Sequence, residues 1–449
     1  MRKFWIDCLF ATIFVFAVMV VLGKITTFRV FNAFDPISNA LADFELSDFA
    51  FSSIRPDPTQ EDRVAIDQIV LVNFSNLDRM NFAQELQIIS KYKPKVIGID
   101  GFYNCEGGLY NATDCPQLLD TLGNLLLANA MTEIPNLVLV SKLLQSDSME
   151  TAHAIDVYDS IEYADFMFRE KAHSAYANLV TDAQYQEGIK ICKSFAPKWD
   201  VKGKDELAFA VQVAMLFDSV KTKRFLNRKN ETEVINYRGN FEVEDVRLKS
   251  LRKLELGNTD TLRKVSFTAL DVEDVMSEKF DPSVIKDKIV LIGFLGTYFG
   301  DPAWNDKFFT PLNKKIGGRA NPDMFGLVIH ANIIASILSE EYIDQLADWQ
   351  ENVIAFIICL LNVALFTVIN RKWPVMYDGL SVIIQIIEIV LSGLVIVMLL
   401  AYFNFKSSLG TTMGAMALVG PCFDVYYGLV KPSVLKLPLI RLTTKPKSV

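Results

Sequence analysis

Residues 286–312 read KDKIVLIGFLGTYFGDPAWNDKFFTPL, and the beginning of this stretch decides the class of fold. The run Ile289–Gly293 is continuous in aliphatic side chains, as expected of a short strand buried on both faces of a parallel sheet. Three similar runs stand earlier in the chain, at Ile69–Val72, Val96–Asp100 and Leu137–Val140. We therefore predict an α/β fold with a mainly parallel sheet.

Apolar residues at helical spacing separate these strands. The pattern over residues 69–100 predicts a strand, a helix at Phe82–Tyr92 and a second strand. The other predicted elements are helices at Leu118–Ala130, Leu207–Val220 and Phe267–Val275, an amphipathic helix at His330–Glu340, and a strand at Val234–Tyr237. The strongly charged residues 240–265 predict an exposed insertion or loop.

Four apolar segments meet or approach the roughly 20 residues that a helix needs to cross a bilayer. They occupy residues 4–23, 353–370, 379–402 and 408–430. A cleaved signal peptide is the alternative for the first, but its apolar core is too long and no small-residue cleavage pattern follows it. We therefore predict four transmembrane helices. The chain then divides into an anchor at 1–24, an outer domain at 25–350, three helices at 351–430 and a short basic tail at 431–449.

The placement of lysine and arginine predicts the orientation in the membrane. Basic residues flank the apolar segments at Arg2, Lys3, Arg371 and Lys372 and, in the tail, at Lys431, Lys436, Arg441, Lys445 and Lys447. Both termini are then cytoplasmic, and residues 25–350 lie on the extracytoplasmic (periplasmic) side of the cell inner (plasma) membrane. The tail has no acidic residue, so we expect it to contact the lipid bilayer or an acidic partner.

The predicted outer domain is acidic. Of the 45 basic and 53 acidic residues of the chain, 34 and 48 lie within residues 25–350, a net charge of −14 there. Such a charge argues against a nucleic-acid partner and favours a cationic or neutral one.

The cysteines divide between the membrane segments and the outer domain. Cys105 and Cys115 bracket the turn-rich stretch CEGGLYNATDC, which predicts a disulfide in an oxidising compartment. Cys192 is predicted to be a buried thiol, because a zinc site would need paired ligand spacing and a nearby histidine. We predict no metal and no cofactor.

Several stretches, in order along the chain, resemble the CHASE2 family of extracytoplasmic sensor domains. They are KPKVIGIDGFYN at 93–104, VINYRGNF at 234–241, the stretch at 286–312 quoted above, and GLVIHANIIASIL at 326–338. The three apolar segments after the domain also fit the family, so the resemblance covers nearly the whole chain. It implies a sensory or regulatory protein, and because the residues show no catalytic pattern we predict that the chain is not an enzyme.

Two features depart from the family pattern. The family's first strand commonly ends in an Asp pair, whereas VLVNFSNLDRMNF at residues 70–82 has Asn73 at that place. Family members usually continue into a kinase, a nucleotide cyclase or a similar output domain, whereas 19 residues follow the last apolar segment here. We therefore expect any signal to leave through the membrane helices to another membrane or envelope protein.

Four candidate ligand contacts follow the predicted strands. Asn73 and Asp100 end two of them, and Asp301 and Asp306 follow the strand that ends at Gly293. Ligands of open α/β sheets bind beyond the carboxyl ends of the strands, so these side chains converge if the strands are neighbours. The alternative for Asp100 is a cap or a loop pinned by backbone hydrogen bonds. A cation held by Asp100 and Asp301 is conceivable, but the spacing does not require it.

His330 is the fifth candidate, at the start of a predicted helix beside Asn332. One interpretation is a pH sensor or ligand contact. The other is a buried ring that is hydrogen-bonded to the segment Asp301–Pro311. The chain shows no Ser/His/Asp or Cys/His arrangement at recognisable spacing, and the loop Gly293–Asp301 lacks the Gly-Lys-Ser/Thr of a P-loop. We predict no catalytic residue.

Glu388 stands midway along the third apolar segment, where an ionisable side chain is costly. Two interpretations stay open: a protonated side chain hydrogen-bonded to a neighbouring helix, or a contact with a partner's membrane helix. Two hypotheses also stay open for the whole protein. The first is a membrane-anchored sensor that acts through a partner, with a small molecule or a protein as ligand. The second is a docking subunit of a cell-envelope complex with no ligand sensing.

Overall fold

The computed structural model describes residues 2–26, 46–105, 115, 119–145, 158–180, 191–241, 266–313, 321–407 and 409–435. Nearly all of the predicted charged insertion and most of the predicted basic tail lie outside these residues. The chain divides into two compact units. One is Pro56–Ile343, and the other combines Met1–Arg55 with Asp344–Val449.

The strands are numbered in chain order. They are β1 (Ile69–Asn73), β2 (Val96–Asp100), β3 (Leu137–Leu144), β4 (Ser160–Glu162), β5 (His173–Tyr176), β6 (Ser194–Phe195), β7 (Lys198–Val201), β8 (Lys204–Leu207), β9 (Glu233–Val234), β10 (Asn240–Phe241), β11 (Ser266–Leu270), β12 (Ile289–Gly293), β13 (Lys307–Phe308), β14 (Met324–Phe325), β15 (Asp344–Gln345) and β16 (Phe405–Lys406).

The helices are numbered in the same way. They are α1 (Arg2–Thr26), α2 (Leu46–Phe49), α3 (Gln60–Asp67), α4 (Arg79–Lys91), α5 (Thr121–Thr132), α6 (Phe166–Arg169), α7 (Phe209–Phe217), α8 (Ser219–Leu226), α9 (Val272–Met276), α10 (Gly326–Ser339), α11 (Asp348–Lys372), α12 (Tyr377–Phe403), α13 (Gly410–Val425) and α14 (Lys431–Leu435). Short π-helical turns occupy Ala50–Ile54 and Tyr426–Val430, and a 3-10 turn occupies Pro282–Val284.

A central sheet organises the first unit. Its strand order is β10–β11–β1–β12–β2–β3–β4, with β5 also paired to β3. The described pairings are parallel except that of β3 with β4. The prediction of a mixed α/β fold with a mainly parallel sheet is confirmed. β12 comes late in the chain but lies between β1 and β2, at the centre of the sheet.

Helices cover both faces of this sheet. Helices α4, α5, α6 and α9 pack on the first face, and α7 and α10 pack on the second. Gly98 and Gly293 make room on the second face, since a Cβ there would come 2.8 Å from the ring of Phe209 and 2.9 Å from Leu327. Burial on both faces explains why the strands read as continuous aliphatic runs.

One predicted helix is wrong in its first half. Within Phe267–Val275, β11 runs to Leu270 and α9 begins at Val272. The run SFTAL buries two of its five side chains and leaves one exposed, so it lacks the continuous aliphatic signal of the central strands. Pairing with β1 and β10 decides its conformation.

Two other elements have different bounds from those predicted. The predicted helix Leu207–Val220 is two helices, because Asp218 has extended backbone and caps α8 by accepting from the N–H groups of Val220 and Lys221. The predicted strand Val234–Tyr237 is reduced to β9.

Helix α10 is not amphipathic, contrary to the prediction. All residues from Gly326 to Leu338 are buried. The helix is enclosed because it packs on β1 and β12 and also against α3, α7 and α8. The second face of α10 is covered by neighbouring elements, and the spacing of apolar residues in the sequence does not reveal those neighbours.

Four helical stretches in the described residues are long and apolar enough to cross a membrane, as predicted. They are Arg2–Leu22, Trp349–Lys372, Tyr377–Phe403 and Gly410–Ser433. Helices α1, α11 and α13 share a buried core that includes Cys8, Cys359 and Cys422. Helix α12 packs on α13 and on the short helical segment of residues 46–54, and it keeps a broad exposed apolar face, as a lipid-facing helix does.

Candidate functional site

The carboxyl ends of the three central strands bring two predicted site residues together. Asn73 of β1 and Asp100 of β2 each pair in register with Gly293 of β12, which lies between them. The loops that leave these strands therefore meet at one edge of the sheet. This is the edge at which open α/β sheets bind ligands.

Asn73 is fully buried at this edge, and both the nitrogen and the oxygen of its side-chain amide are hydrogen-bonded. Nδ2 donates to Oδ1 of Asp271 at 2.9 Å and to the carbonyl of Gly296 at 3.0 Å. Oδ1 accepts from the N–H groups of Ser75 at 3.0 Å and Leu295 at 2.9 Å. These four bonds join the loops that follow β1, β11 and β12, so Asn73 holds the edge together.

Asp301 fixes the shape of the loop after β12. Its Oδ2 accepts from the N–H of Thr297 at 3.0 Å and from Oγ1 of Thr297 at 2.6 Å, and Oδ1 accepts from the N–H of Ala303 at 2.9 Å. These hydrogen bonds, with a smaller effect of the Lys307 charge, lower the pKa of Asp301 to about 2. The carboxylate is ionised at neutral pH and accepts these hydrogen bonds from groups of its own loop.

Asp100 and Asp306 interact electrostatically beside the start of α10. Burial, and then the charge of Asp306, raise the pKa of Asp100 well above its usual range. Asp306 is exposed, and its backbone carbonyl accepts from the N–H of Gly326 at 3.0 Å. Asp100 therefore keeps its proton to a higher pH than an ordinary carboxyl group. Among the described residues, no group of three His, Cys, Asp or Glu side chains is placed to hold a metal ion.

His330 lies inside the unit, away from these loops. Its ring packs edge-on against Phe209, with centroids 5.2 Å apart, and is hydrogen-bonded to the backbone of Ala177 rather than to the segment Asp301–Pro311. Burial lowers the pKa of His330 to about 4, so the ring is neutral at physiological pH. Neighbouring Asn332 bonds both backbone groups of Gly239 and thereby anchors β10.

A pocket of about 370 Å³ opens on the first face of the same edge. The loops that follow β1 and β2 and the first turns of α4 and α5 form its walls. The lining residues are Phe74, Leu77, Asp78, Arg79, Phe82, Gly101, Phe102, Tyr103 and Asp120. The volume is at the lower end of the range for small-molecule sites. Sequence reasoning missed this pocket, although aromatic residues directly after two strands were a usable signal.

Aromatic rings form the floor of the pocket. Phe82 contacts Phe74 edge-on with centroids 5.7 Å apart, and it stacks on Tyr103 at 6.3 Å. Tyr103 in turn contacts Phe168 of α6 at 5.4 Å. Burial raises the pKa of Tyr103 above its usual range, so its hydroxyl stays protonated.

A disulfide lies close to the pocket in sequence. Cys105 and Cys115 are bonded, as predicted, with Cα atoms 5.5 Å apart. Cys105 comes two residues after Tyr103 of the lining, so the bond fixes the base of the loop that leaves the pocket. The loop itself, residues 106–114, lies outside the described residues. Cys192 is a buried thiol outside the disulfide, as predicted.

Glu85 of α4 is a second feature that the sequence did not reveal. The side chain is fully buried, and neither carboxyl oxygen has a hydrogen-bond partner among the described residues. Burial, and then the charge of Asp271, raise the pKa of Glu85 to about 8. Helix α4 thus carries pocket residues on its first turn and a protonated carboxyl group two turns later.

A family model described as the CHASE2 domain matches residues 16–366. The chain belongs to the CHASE2 family. No curated protein and no solved structure matches the chain. The CHASE2 domain is a known extracytoplasmic sensor domain, which suggests a sensory role here. The CHASE2 match includes every element from β1 to α10 and therefore the whole pocket.

The membrane unit of this CHASE2 protein contains buried polar contacts between helices. Gln385 of α12 donates through Nε2 to the carbonyls of Met416 and Ala417 at 2.7 and 3.2 Å. Glu388 is hydrogen-bonded to Asn362 of α11. Its Oε2 is buried without a partner in the part of the chain that the structure describes. The bond to Asn362 agrees with the first interpretation of Glu388, and its contact with a partner stays a prediction.

Basic residues from different helices meet at one end of the membrane unit. Lys431 forms a 2.7 Å ion pair with Asp7 of α1. The guanidinium of Arg371, at the end of α11, lies 5.4 Å from the ring centre of Phe4. The predicted cytoplasmic ends of three helices are therefore adjacent in space.

Proposed function

We propose that this CHASE2 protein is a membrane-anchored sensory or regulatory protein. In this proposal residues 25–350 lie on the extracytoplasmic (periplasmic) side of the cell inner (plasma) membrane and bind a small molecule. The membrane helices pass the resulting rearrangement to another membrane or envelope protein. The observation that carries the proposal is the pocket at the carboxyl edge of the sheet, which is concave, mainly apolar and equipped with a few charged groups.

The orientation rests on two further observations. The basic residues Arg371 and Lys431 lie at the same end of the membrane unit, and positive charge marks the cytoplasmic ends of membrane helices. The disulfide between Cys105 and Cys115 suits an oxidising compartment, which the cytoplasm is not. Both observations support a first unit that lies outside the cytoplasm.

The proposed route to the partner is α12. This helix shows an apolar face along most of its length, and Glu388 is the ionisable group near its middle. A carboxyl group within the membrane usually faces a partner or a cavity. Glu388 is hydrogen-bonded to Asn362 within its own chain, and in this proposal its carboxyl group turns from Asn362 to a partner helix when the partner binds.

The first experiment purifies the full-length protein from its native membranes after cross-linking and identifies the membrane proteins that accompany it in stoichiometric amounts. Glu388→Leu is expected to lose the partner. Gln385→Leu is the matched control, because it also removes an intrachain hydrogen bond of α12, in this case to α13. Equal loss from both variants would show that the helices need these bonds only for their own packing, which contradicts the role of Glu388.

The second experiment measures the melting temperature of the full-length protein in detergent against a library of small molecules, since a ligand that binds only the folded form raises stability. Leu77→Trp, which fills the pocket, should abolish any shift. Val64→Trp is the control, because Val64 lines a separate groove on the second face. A partner that copurifies without any ligand response would identify a docking subunit instead. A lone protein with no response would contradict both functions.

A further inference from the structure

Rings in and next to the pocket already hold cations of the protein itself. The guanidinium carbon of Arg79 lies 5.7 Å from the ring centre of Tyr103 and 5.2 Å from that of Phe168. Nζ of Lys142 lies 4.3 Å from the ring centre of Phe102. A ring face carries a negative quadrupole that attracts cations within about 6 Å. This aromatic wall therefore stabilises positive charge.

Two carboxylates stand among the lining residues. Asp78 caps α4, with Oδ1 accepting from the N–H of Asn81 at 2.8 Å and Oδ2 from Nδ2 of Asn81 at 3.0 Å. Asp120 caps α5, with Oδ1 accepting from the N–H of Gly123 at 2.8 Å. A carboxylate has about four acceptor positions, so these caps leave capacity for a ligand donor.

The same arrangement disfavours an anion. The N-termini of two helices and Arg79 would ordinarily attract negative charge. Here Asp78 and Asp120 already neutralise those helix ends. Arg79 donates to Oδ1 of Asn124 and lies near Asp120 and Asp165. A bound anion would meet two carboxylates at its first contact.

If the pocket binds a small molecule, as the proposed function requires, these contacts define the chemical class of that ligand. We infer that the pocket binds a small organic cation, an amine or quaternary ammonium compound with an apolar or aromatic body. The body packs on Phe74 and Phe82, and the cationic group lies beside the carboxylates of Asp78 and Asp120. The net charge of −14 over residues 25–350 would draw such a ligand to the domain.

The test uses three probes with one phenyl body: phenethylamine, phenethyl alcohol and hydrocinnamate, which are cationic, neutral and anionic. Binding to the full-length protein in detergent is measured by calorimetry and by the shift in melting temperature. We expect phenethylamine to bind about tenfold more tightly than the alcohol, and hydrocinnamate to bind more weakly than both. The affinity for phenethylamine should fall as salt concentration rises.

Asp78→Asn and Asp120→Asn test the carboxylates without removing the helix caps, because asparagine caps as well as aspartate. Each is expected to weaken phenethylamine binding about threefold to fivefold and to leave the alcohol unaffected. Asp218→Asn is the control, since it makes the same change at the cap of α8, outside the pocket.

The inference is overturned if hydrocinnamate binds as tightly as phenethylamine, or if Asp218→Asn weakens binding as much as the pocket variants. It is also overturned if none of the three probes binds. Tight binding of hydrocinnamate would leave the proposed sensory function standing with an anionic ligand. If no partner accompanies the unmodified protein in the cross-linking experiment, the proposed function would instead be contradicted and the cation site left intact.

Discussion

Asn73 donates a 2.9 Å hydrogen bond to Oδ1 of Asp271, which ties the end of β1 to the residue that caps α9. The same amide donates to Gly296 and accepts from Leu295. The resemblance to the CHASE2 family would commonly place an acid at position 73. An ionised acid cannot donate, and it would face Asp271 at close range. The amide at this position is therefore the side chain that the local hydrogen bonds require.

Asn73→Asp is expected to destabilise the first unit. The change removes two donated bonds from buried acceptors and adds like-charge repulsion with Asp271, a cost of about 2–5 kcal/mol. Thermal and denaturant unfolding of the full-length protein measure the effect. Asn76→Asp is the control, because Asn76 is an exposed residue of the same loop. Equal stability of the two variants would contradict the role assigned to Asn73.

Glu85 predicts a stability that falls as pH rises. Its pKa is about 8 in the folded protein, against an ordinary value of 4.5, because of burial and the Asp271 charge. The folded state therefore binds the proton more tightly, and this contribution, fully present below about pH 4.5, is lost as pH rises through 8. The loss is on the order of 5 kcal/mol.

Glu85→Gln should flatten the stability profile between pH 5 and pH 8, because glutamine does not titrate. The measurement is the melting temperature of both proteins across that range. Asp100 and Asp323 also have raised pKa values, so the difference between the two profiles isolates Glu85. Parallel profiles would show that Glu85 does not titrate in this range. Helices α9 and α5 pack on α4. Helix α9 and its cap bring the charged residues Asp271, Glu273 and Asp274 to this side, whereas α5 has no charged residue.

Asp301 predicts the opposite dependence on pH. Its pKa is lowered to about 2 by hydrogen bonds from Thr297 and Ala303, so its contribution is present above pH 3.8 and lost as pH falls through 2. Asp301→Asn should lower the melting temperature and expose the loop after β12 to limited proteolysis. Asp306→Asn in the same loop is the control, since it removes a like charge from Asp100. Protection of the loop in both variants would refute the role of Asp301.

Gly420 predicts a tight contact between two membrane helices. A Cβ at this position would come 2.7 Å from Oε1 of Gln385, whose amide bonds the carbonyls of α13. Gly420→Ala should therefore displace Gln385 and cost about 1–3 kcal/mol. Gly379→Ala is the matched control, because nothing lies within 4 Å of a Cβ there. The melting temperature of the full-length protein in detergent distinguishes the two.

Local pattern predicted much of the fold, and the reason is physical. Strands buried on both faces must be aliphatic throughout, so β1, β2 and β12 were visible in the sequence, as were the segments long enough to cross a bilayer. β11 was not, because its mixed pattern acquires meaning only from its place beside β1. Helix α10 was predicted in the correct region, but its burial on every side depends on neighbours distant in sequence.

The candidate site was also predicted only in part from the sequence. Asn73, Asp100 and Asp301 were identified because polar residues that end parallel strands must share one edge. The tertiary structure then decided their roles, since Asn73 and Asp301 direct their polar atoms to backbone and side-chain groups of the protein. It also placed His330 in the interior, where burial keeps the ring neutral.

The sequence by itself determined the α/β class, the four candidate membrane helices and the disulfide between Cys105 and Cys115, because each is encoded by residues close together in the chain. Only the tertiary structure decided where the pocket lies and that Glu85 is enclosed without a hydrogen-bond partner among the residues that the structure describes. Both features depend on how the loops after β1 and β2 and the helices α4, α5 and α9 meet. Contacts between residues distant in sequence leave no periodic signal along the chain.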